Sequence, residues 1–180
     1  DGNQFYSLFR DSKGFYWFGG ANGLIRFTDP AGERHDAIWY RMGDKTYPLS
    51  HNRIRHIYED KEQQLWIATD GSINRYDYAT RQFIHYNIVD NTGTYNTNWT
   101  YYIFEDTAGQ LWISTCLGGI FVVDKHKLMQ STSGQYIAEQ NYSVHNGLSG
   151  MFINQIIPDN EGNVWVLLYN NKGIDKINPR

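Results

Sequence analysis

The chain has 180 residues, 41% of them hydrophobic and 19% charged, with a formal net charge of −3. That balance belongs to a globular protein with ample core material, and it offers no basic field for a phosphate backbone, so nucleic acid is excluded as a first-choice partner. No apolar run approaches the roughly 20 residues of a membrane-spanning helix, and the single cysteine, Cys116, provides neither a disulfide framework nor a cysteine metal site.

Aromatic residues reach 16% and stand beside 17 glycines, a composition suited to half-buried pleated surfaces joined by tight turns. In chain order, "FYSLFRD" reads as a strand, Gly14 as a turn, "FYWFGG" and "GLIRF" as the next two strands, and "AIWYR" as a fourth. The pattern then recurs. "IRHIYED", "LWIAT", "INRYD" and "FIHYN" form a second set, with Gln63 where the other sets have glycine. "YYIFED", "LWIST", "IFVVD" and "YIAEQNYS" form a third around Gly109, and "INQIIPD", "VWVLL" and "GIDKI" form a fourth around Gly162, without a last strand. Asp11, Asp60, Asp106 and Asp159 each precede a tryptophan by six residues: Trp17, Trp66, Trp112 and Trp165.

Four antiparallel strands in a period of about 40 to 50 residues predict an all-β fold of β-propeller blades. The blade boundaries fall near 3–48, 49–94, 95–149 and 150–180, forming a single propeller segment whose last blade is incomplete. A blade needs a neighbour on each side, so the chain is expected to belong to a larger propeller, with further blades in the same or a partner chain. The first strands of the last three blades carry inward-type residues three apart (Ile54 and Ile57; Thr100 and Ile103; Ile153 and Ile156). Strict alternation forbids that spacing, so a bulge or strong twist is predicted there.

The repeat also decides what the acidic pair Glu105–Asp106 is for. An aspartate that recurs at one position of every unit serves a turn, with the tryptophan packed between blades, and the pair is no catalytic dyad. Function belongs where the units differ. The segments "YPLSHNR", "NTGTYNTNWTYY" and "HNGLSGMFIN", with the turns between second and third strands, are expected on one face. That face nominates Tyr95, Asn98, Trp99, Tyr101, His51, Arg53, Arg55 and Asn154 as ligand-binding residues. Trp99 and Tyr101 offer flat apolar rings beside hydrogen-bonding amides, which suits the C–H faces and hydroxyls of a sugar. Arg53 and Arg55, two apart on one strand, suit a carboxylate or sulfate, although two solvated surface charges fit the same spacing. The six histidines show no metal spacing, and no nucleophile elbow or phosphate-cradling glycine loop occurs, so neither a metal, a cofactor nor a catalytic residue is assigned.

The units "YEDKEQQLWIATDGSINRYD" and "FEDTAGQLWISTCLGGIFVVD", and more loosely the outer two, resemble the two-component regulator propeller repeat. The resemblance implies the periplasmic sensor region of a Bacteroidetes hybrid two-component system, anchored in the inner membrane and dimeric. Such a region detects an oligosaccharide and signals to a histidine kinase. This sequence contains four units, no membrane helix and no kinase motif. Two other functions compete with the sensor. A polysaccharide lyase or hydrolase would need an acid and a base on the variable face, where Asp70, Asp90 and Glu139 are the candidates. A protein-interaction scaffold would show an exposed rim and no sugar-sized pocket.

Overall fold

The computed structural model describes residues 4–28, 36–132, 134–170 and 173–179. Its sheets follow the repeats. The first holds β1 (Phe5–Arg10), β2 (Tyr16–Gly20), β3 (Gly23–Phe27) and β4 (Ile38–Tyr40) in sequential order. The second holds β5 (Ile54–Glu59), β6 (Leu65–Thr69), β7 (Ser72–Asp77) and β8 (Gln82–Tyr86). Between this sheet and the next lies the short strand β9 (Ile88–Val89). The third sheet opens with β10 (Thr100–Glu105), β11 (Gln110–Thr115) and β12 (Ile120–Asp124).

Here the structure departs from the expected pattern. A helix, α1 (Lys125–Gln130), follows β12, and the segment expected as one outer strand is divided. β13 (Tyr136–Ile137) leaves the blade and pairs parallel with β9, while only β14 (Gln140–Tyr142) completes the third sheet. The last sheet contains β15 (Ile153–Pro158), β16 (Val164–Leu168) and β17 (Ile174–Ile177), three strands as the sequence predicts. The fold is thus all-β and built of propeller blades, the fourth incomplete.

All four first strands carry the expected bulge. The pairing of β1 with β2 skips Tyr6, that of β5 with β6 skips Arg55, that of β10 with β11 skips Tyr101, and that of β15 with β16 skips Asn154. The recurrent aspartate closes the following hairpin with three bonds. In the third blade, Asp106 Oδ1 accepts the amides of Ala108 (2.8 Å) and Gln110 (3.0 Å), and Oδ2 accepts the indole Nε1–H of Trp112 at 2.9 Å. Asp11, Asp60 and Asp159 repeat the geometry on Trp17, Trp66 and Trp165, at 2.8, 2.8 and 3.1 Å. The indole bond is the reason for the six-residue spacing: it fixes the ring's orientation on the hairpin.

The chain forms two compact units, Asp1–His85 and Tyr86–Arg180. In the first, Trp17 is fully buried, stacked at 5.8 Å on Tyr40 and met edge-on by Tyr76 of the second blade at 4.9 Å. The Tyr78 hydroxyl donates to Asp11 Oδ2 at 2.6 Å, and Glu59 accepts the Ser12 amide and hydroxyl at 2.9 and 2.7 Å. These contacts tie the turn of one blade to its neighbour. Gly19 is required at this seam because a β-carbon there would overlap the Ile54 side chain.

In the second unit, Ile103, Ile113, Phe121, Ile153 and Ile156 are buried among the strands of the last two sheets. Glu105 accepts Lys125 Nζ at 2.9 Å with both side chains inaccessible to water. This buried pair gives Glu105 a structural task, as the repeat argument requires. One expectation fails. Trp165 keeps its aspartate bond but is 44% exposed, together with Ile157, Leu167 and Ile174. Trp17 is covered by the blade that follows it, and among the described residues no sheet lies over Trp165.

Candidate binding face around Tyr95 and Trp99

Residues 90–100 form a loop whose shape is fixed from within. Asp90 donates its amide to Tyr95 O at 3.0 Å and accepts the Tyr95 amide on Oδ1 at 2.8 Å, while the Thr92 hydroxyl donates to Oδ2. Burial alone would raise the Asp90 carboxyl, but the Thr92 hydroxyl and the Tyr95 and Thr92 amides outweigh it and hold it below the usual carboxylate range. Two buried threonines then bracket the tip. Thr97 donates its amide to Ile88 O at 3.0 Å, and the Thr100 hydroxyl donates to Thr97 O at 2.6 Å.

Between them Trp99 adopts a left-handed backbone (φ 55°), and the residue is 48% exposed. A bulky residue in that region is strained by about 1 to 3 kcal/mol, and it persists only where its surroundings over-determine it. They do so here: Cys116 donates its amide to Trp99 O at 2.9 Å. Next to Cys116, Leu117 is also left-handed (φ 82°), half exposed, and donates its amide to Met151 O at 3.1 Å. Gly118 permits the approach of the two loops, because a β-carbon would lie 2.6 Å from Asn96 O. The Thr115 hydroxyl holds this second turn by accepting the Gly118 amide and donating to Gly119 O.

Two clefts result, each of about 470 Å³, within the range of small-ligand pockets. Tyr95, Asn98, Trp99 and Leu117 line one of them. Asp90, Asn91, Tyr95, Glu139, Gln140 and His145 lie on the other. Tyr95 stands in both, and its hydroxyl lies 3.2 Å from His145 Nε2. Both carboxylates of the second cleft serve the scaffold. Asp90 holds the loop, and Glu139 accepts the Asp124 amide and the Tyr136 hydroxyl, each at 2.8 Å.

Of the residues nominated from sequence, the structure brings Tyr95, Asn98 and Trp99 together. Tyr101 lies outside both clefts, its ring 5.7 Å from that of Tyr169, and Asn154 occupies the equivalent bulge of β15. His51, Arg53 and Arg55 belong to the first unit. Arg55 is engaged there in a bidentate pair with Asp70 (2.7 and 3.1 Å), Arg53 lies 3.8 Å from the same carboxylate, and His51 Nδ1 accepts the Arg53 amide at 3.0 Å. The two arginines therefore face a carboxylate of their own chain. Asp70 is equally committed, which removes it as a free acid or base. Leu117 and His145 are not among the nominated residues, although the second-to-third-strand turn of the one and the segment "HNGLSGMFIN" of the other belong to the expected face; nothing in the sequence links His145 to Tyr95, 50 residues away. Among the described residues no group of His, Cys, Asp and Glu is arranged to hold a metal ion.

Sheets of this order, with a built cleft on the variable face, define a set of β-propeller blades carrying a small-molecule-sized site. The family model of the two-component regulator propeller matches residues 1–22, 48–71 and 147–170 of this chain. The third blade lies outside those matches yet repeats the same aspartate–tryptophan hairpin. All of the chain matches, at 99% identity and a TM-score of 0.96, 24% of a crystallised extracellular domain from B. thetaiotaomicron, BT4673, described as part of a one-component system. A second B. thetaiotaomicron extracellular domain, BT3049, described as part of a hybrid two-component system, is 21% identical over 99% of this chain and 25% of that one, with a TM-score of 0.72. Virginiamycin B lyase from Staphylococcus aureus shares the fold alone, at 16% identity over 98% of this chain and 53% of its own, with a TM-score of 0.67. The chain thus spans about a quarter of the first two solved chains it matches. No curated protein sequence matches it.

Proposed function

We propose that this chain is the ligand-recognising part of the extracytoplasmic region of a signalling receptor, and that it binds an oligosaccharide without turning it over. The near-identical extracellular domain and the repeat family support the receptor reading. The observation that carries the ligand reading is Trp99: a half-exposed residue held in a strained backbone by bonds on both sides, next to Asn98 and Tyr95. A surface held in that way is preorganised, and an indole face flanked by amides suits the C–H face and hydroxyls of a sugar ring. Non-catalytic binding is supported by Asp90 and Glu139, whose lone pairs are engaged by the scaffold. In this reading the receptor is membrane-anchored and dimeric. Occupancy is passed to a cytoplasmic output part, either one joined in the same polypeptide, as in a one-component system, or a histidine kinase.

Titration calorimetry of the complete extracytoplasmic region against an oligosaccharide panel tests this. Heat without product formation is expected, with affinity falling at least fivefold in Trp99→Ala. Sugar cleavage in the same mixtures would replace the sensor by an enzyme, and unchanged affinity in folded Trp99→Ala would move the site elsewhere.

A further inference from the structure

The two clefts on either side of Tyr95 differ in chemistry, and the difference bears on what the face selects. One presents Trp99 and Leu117 as apolar walls. The other is polar, lined by Asn91, Gln140 and His145 beside the carboxylates of Asp90 and Glu139. No described lysine or arginine lines either. Lys127 approaches Glu139 at 3.6 Å from outside the cleft but is shared with Asp124, and Asp90 is held ionised by its loop.

Resting on the oligosaccharide reading above, we infer that the face is a two-subsite platform for an uncharged oligosaccharide of at least two residues, laid across Tyr95, and that it discriminates against uronates and sulfated sugars. The apolar cleft stacks one ring on Trp99, and the polar cleft bonds the hydroxyls of the next. A carboxylate or sulfate entering the polar cleft would be desolvated beside Asp90 and Glu139 with no lysine or arginine in the described lining to pair with, which opposes binding. The arginines that would suit an acidic sugar are occupied by Asp70 in the other unit. A ligand of one residue reaches only one cleft and forfeits the gain of linking two contacts in one molecule.

The test uses the complete extracytoplasmic region and calorimetric titration with neutral β-linked gluco-, galacto-, manno- and xylo-oligosaccharides of one, two and four residues, and with tetragalacturonate. At least one neutral series is expected to bind, its monosaccharide at least tenfold weaker than its disaccharide, and tetragalacturonate at least a hundredfold weaker than the neutral tetrasaccharide. Trp99→Ala and the double variant Asn91→Ala/Gln140→Ala, whose side chains are exposed in the two clefts, should each lower affinity for the disaccharide at least fivefold with unchanged melting. Tetragalacturonate binding as well as a neutral tetrasaccharide overturns the inference while leaving the sensor reading in place. So does a monosaccharide equal to its disaccharide, or a double variant with no effect. Silence from every sugar removes the sensor reading and the inference together.

Discussion

The Asp106 carboxylate holds the Trp112 indole N–H at 2.9 Å, six residues away along the chain, and the two amides of the intervening turn complete its coordination. The same three bonds recur in every blade. The hairpin is therefore a single polar unit in which one carboxylate positions both the turn and the largest side chain of the blade. Asp106→Asn keeps the shape but removes the charge and one acceptor. Hydrogen bonds to a charged group contribute about 1.5 to 3 kcal/mol, so a loss of about 2 kcal/mol is expected in denaturant unfolding. Ligand affinity should not change.

Gln63 stands where the other three blades have Gly14, Gly109 and Gly162, and it takes the same left-handed backbone (φ 62° against 89°, 80° and 84°). A side chain in that region is strained, whereas glycine enters it freely. Gln63→Gly should raise stability by up to about 1 kcal/mol, less whatever glycine gains in unfolded-state entropy. A fall in melting temperature would show that the Gln63 side chain contributes more than its backbone costs.

Arg55 and Asp70 make a bidentate pair with Asp70 almost inaccessible. Truncating Arg55 leaves a largely buried carboxylate with Arg53, 3.8 Å away, as its remaining cation among the described residues. Arg55→Ala should cost about 1 to 2 kcal/mol, and oligosaccharide affinity should be unaltered because the pair belongs to the scaffold. An affinity loss without a stability loss would return Arg55 to the ligand.

His56, on the first strand of the second blade, is lowered by burial to a pKa of about 4. Its ordinary value in the unfolded chain is about 6.5. Because the folded state disfavours the imidazolium, the contribution of the neutral ring is fully present above pH 6.5. It is lost progressively as the pH falls towards 4. His56→Gln should flatten the stability profile in that window, as read by urea unfolding at successive pH values. A profile identical to that of the parent would assign the acid sensitivity to other groups.

The periodic aspartates and tryptophans, the three-residue spacing in the first strands and the missing last strand made the blades legible in the sequence. Each is a local consequence of hairpin geometry repeated along the chain. Tyr95, Asn98 and Trp99 were legible for the converse reason, as residues of the non-repeating stretches. The tertiary structure alone decided which polar groups were already satisfied. Arg55 reads as a free cation until Asp70, brought alongside by the neighbouring strand, occupies it. His145 reads as an isolated ring until the third blade returns it to Tyr95. Burial of Trp165 could not be read from its place in the repeat, because burial depends on what packs over a blade and not on the blade itself. The division of the outer strand between β13 and β14 was likewise hidden, since pairing with β9 is a contact between segments nearly 50 residues apart. Local chemistry determined the blades and their hairpins. Contacts distant in sequence determined which side chains remain available to a ligand.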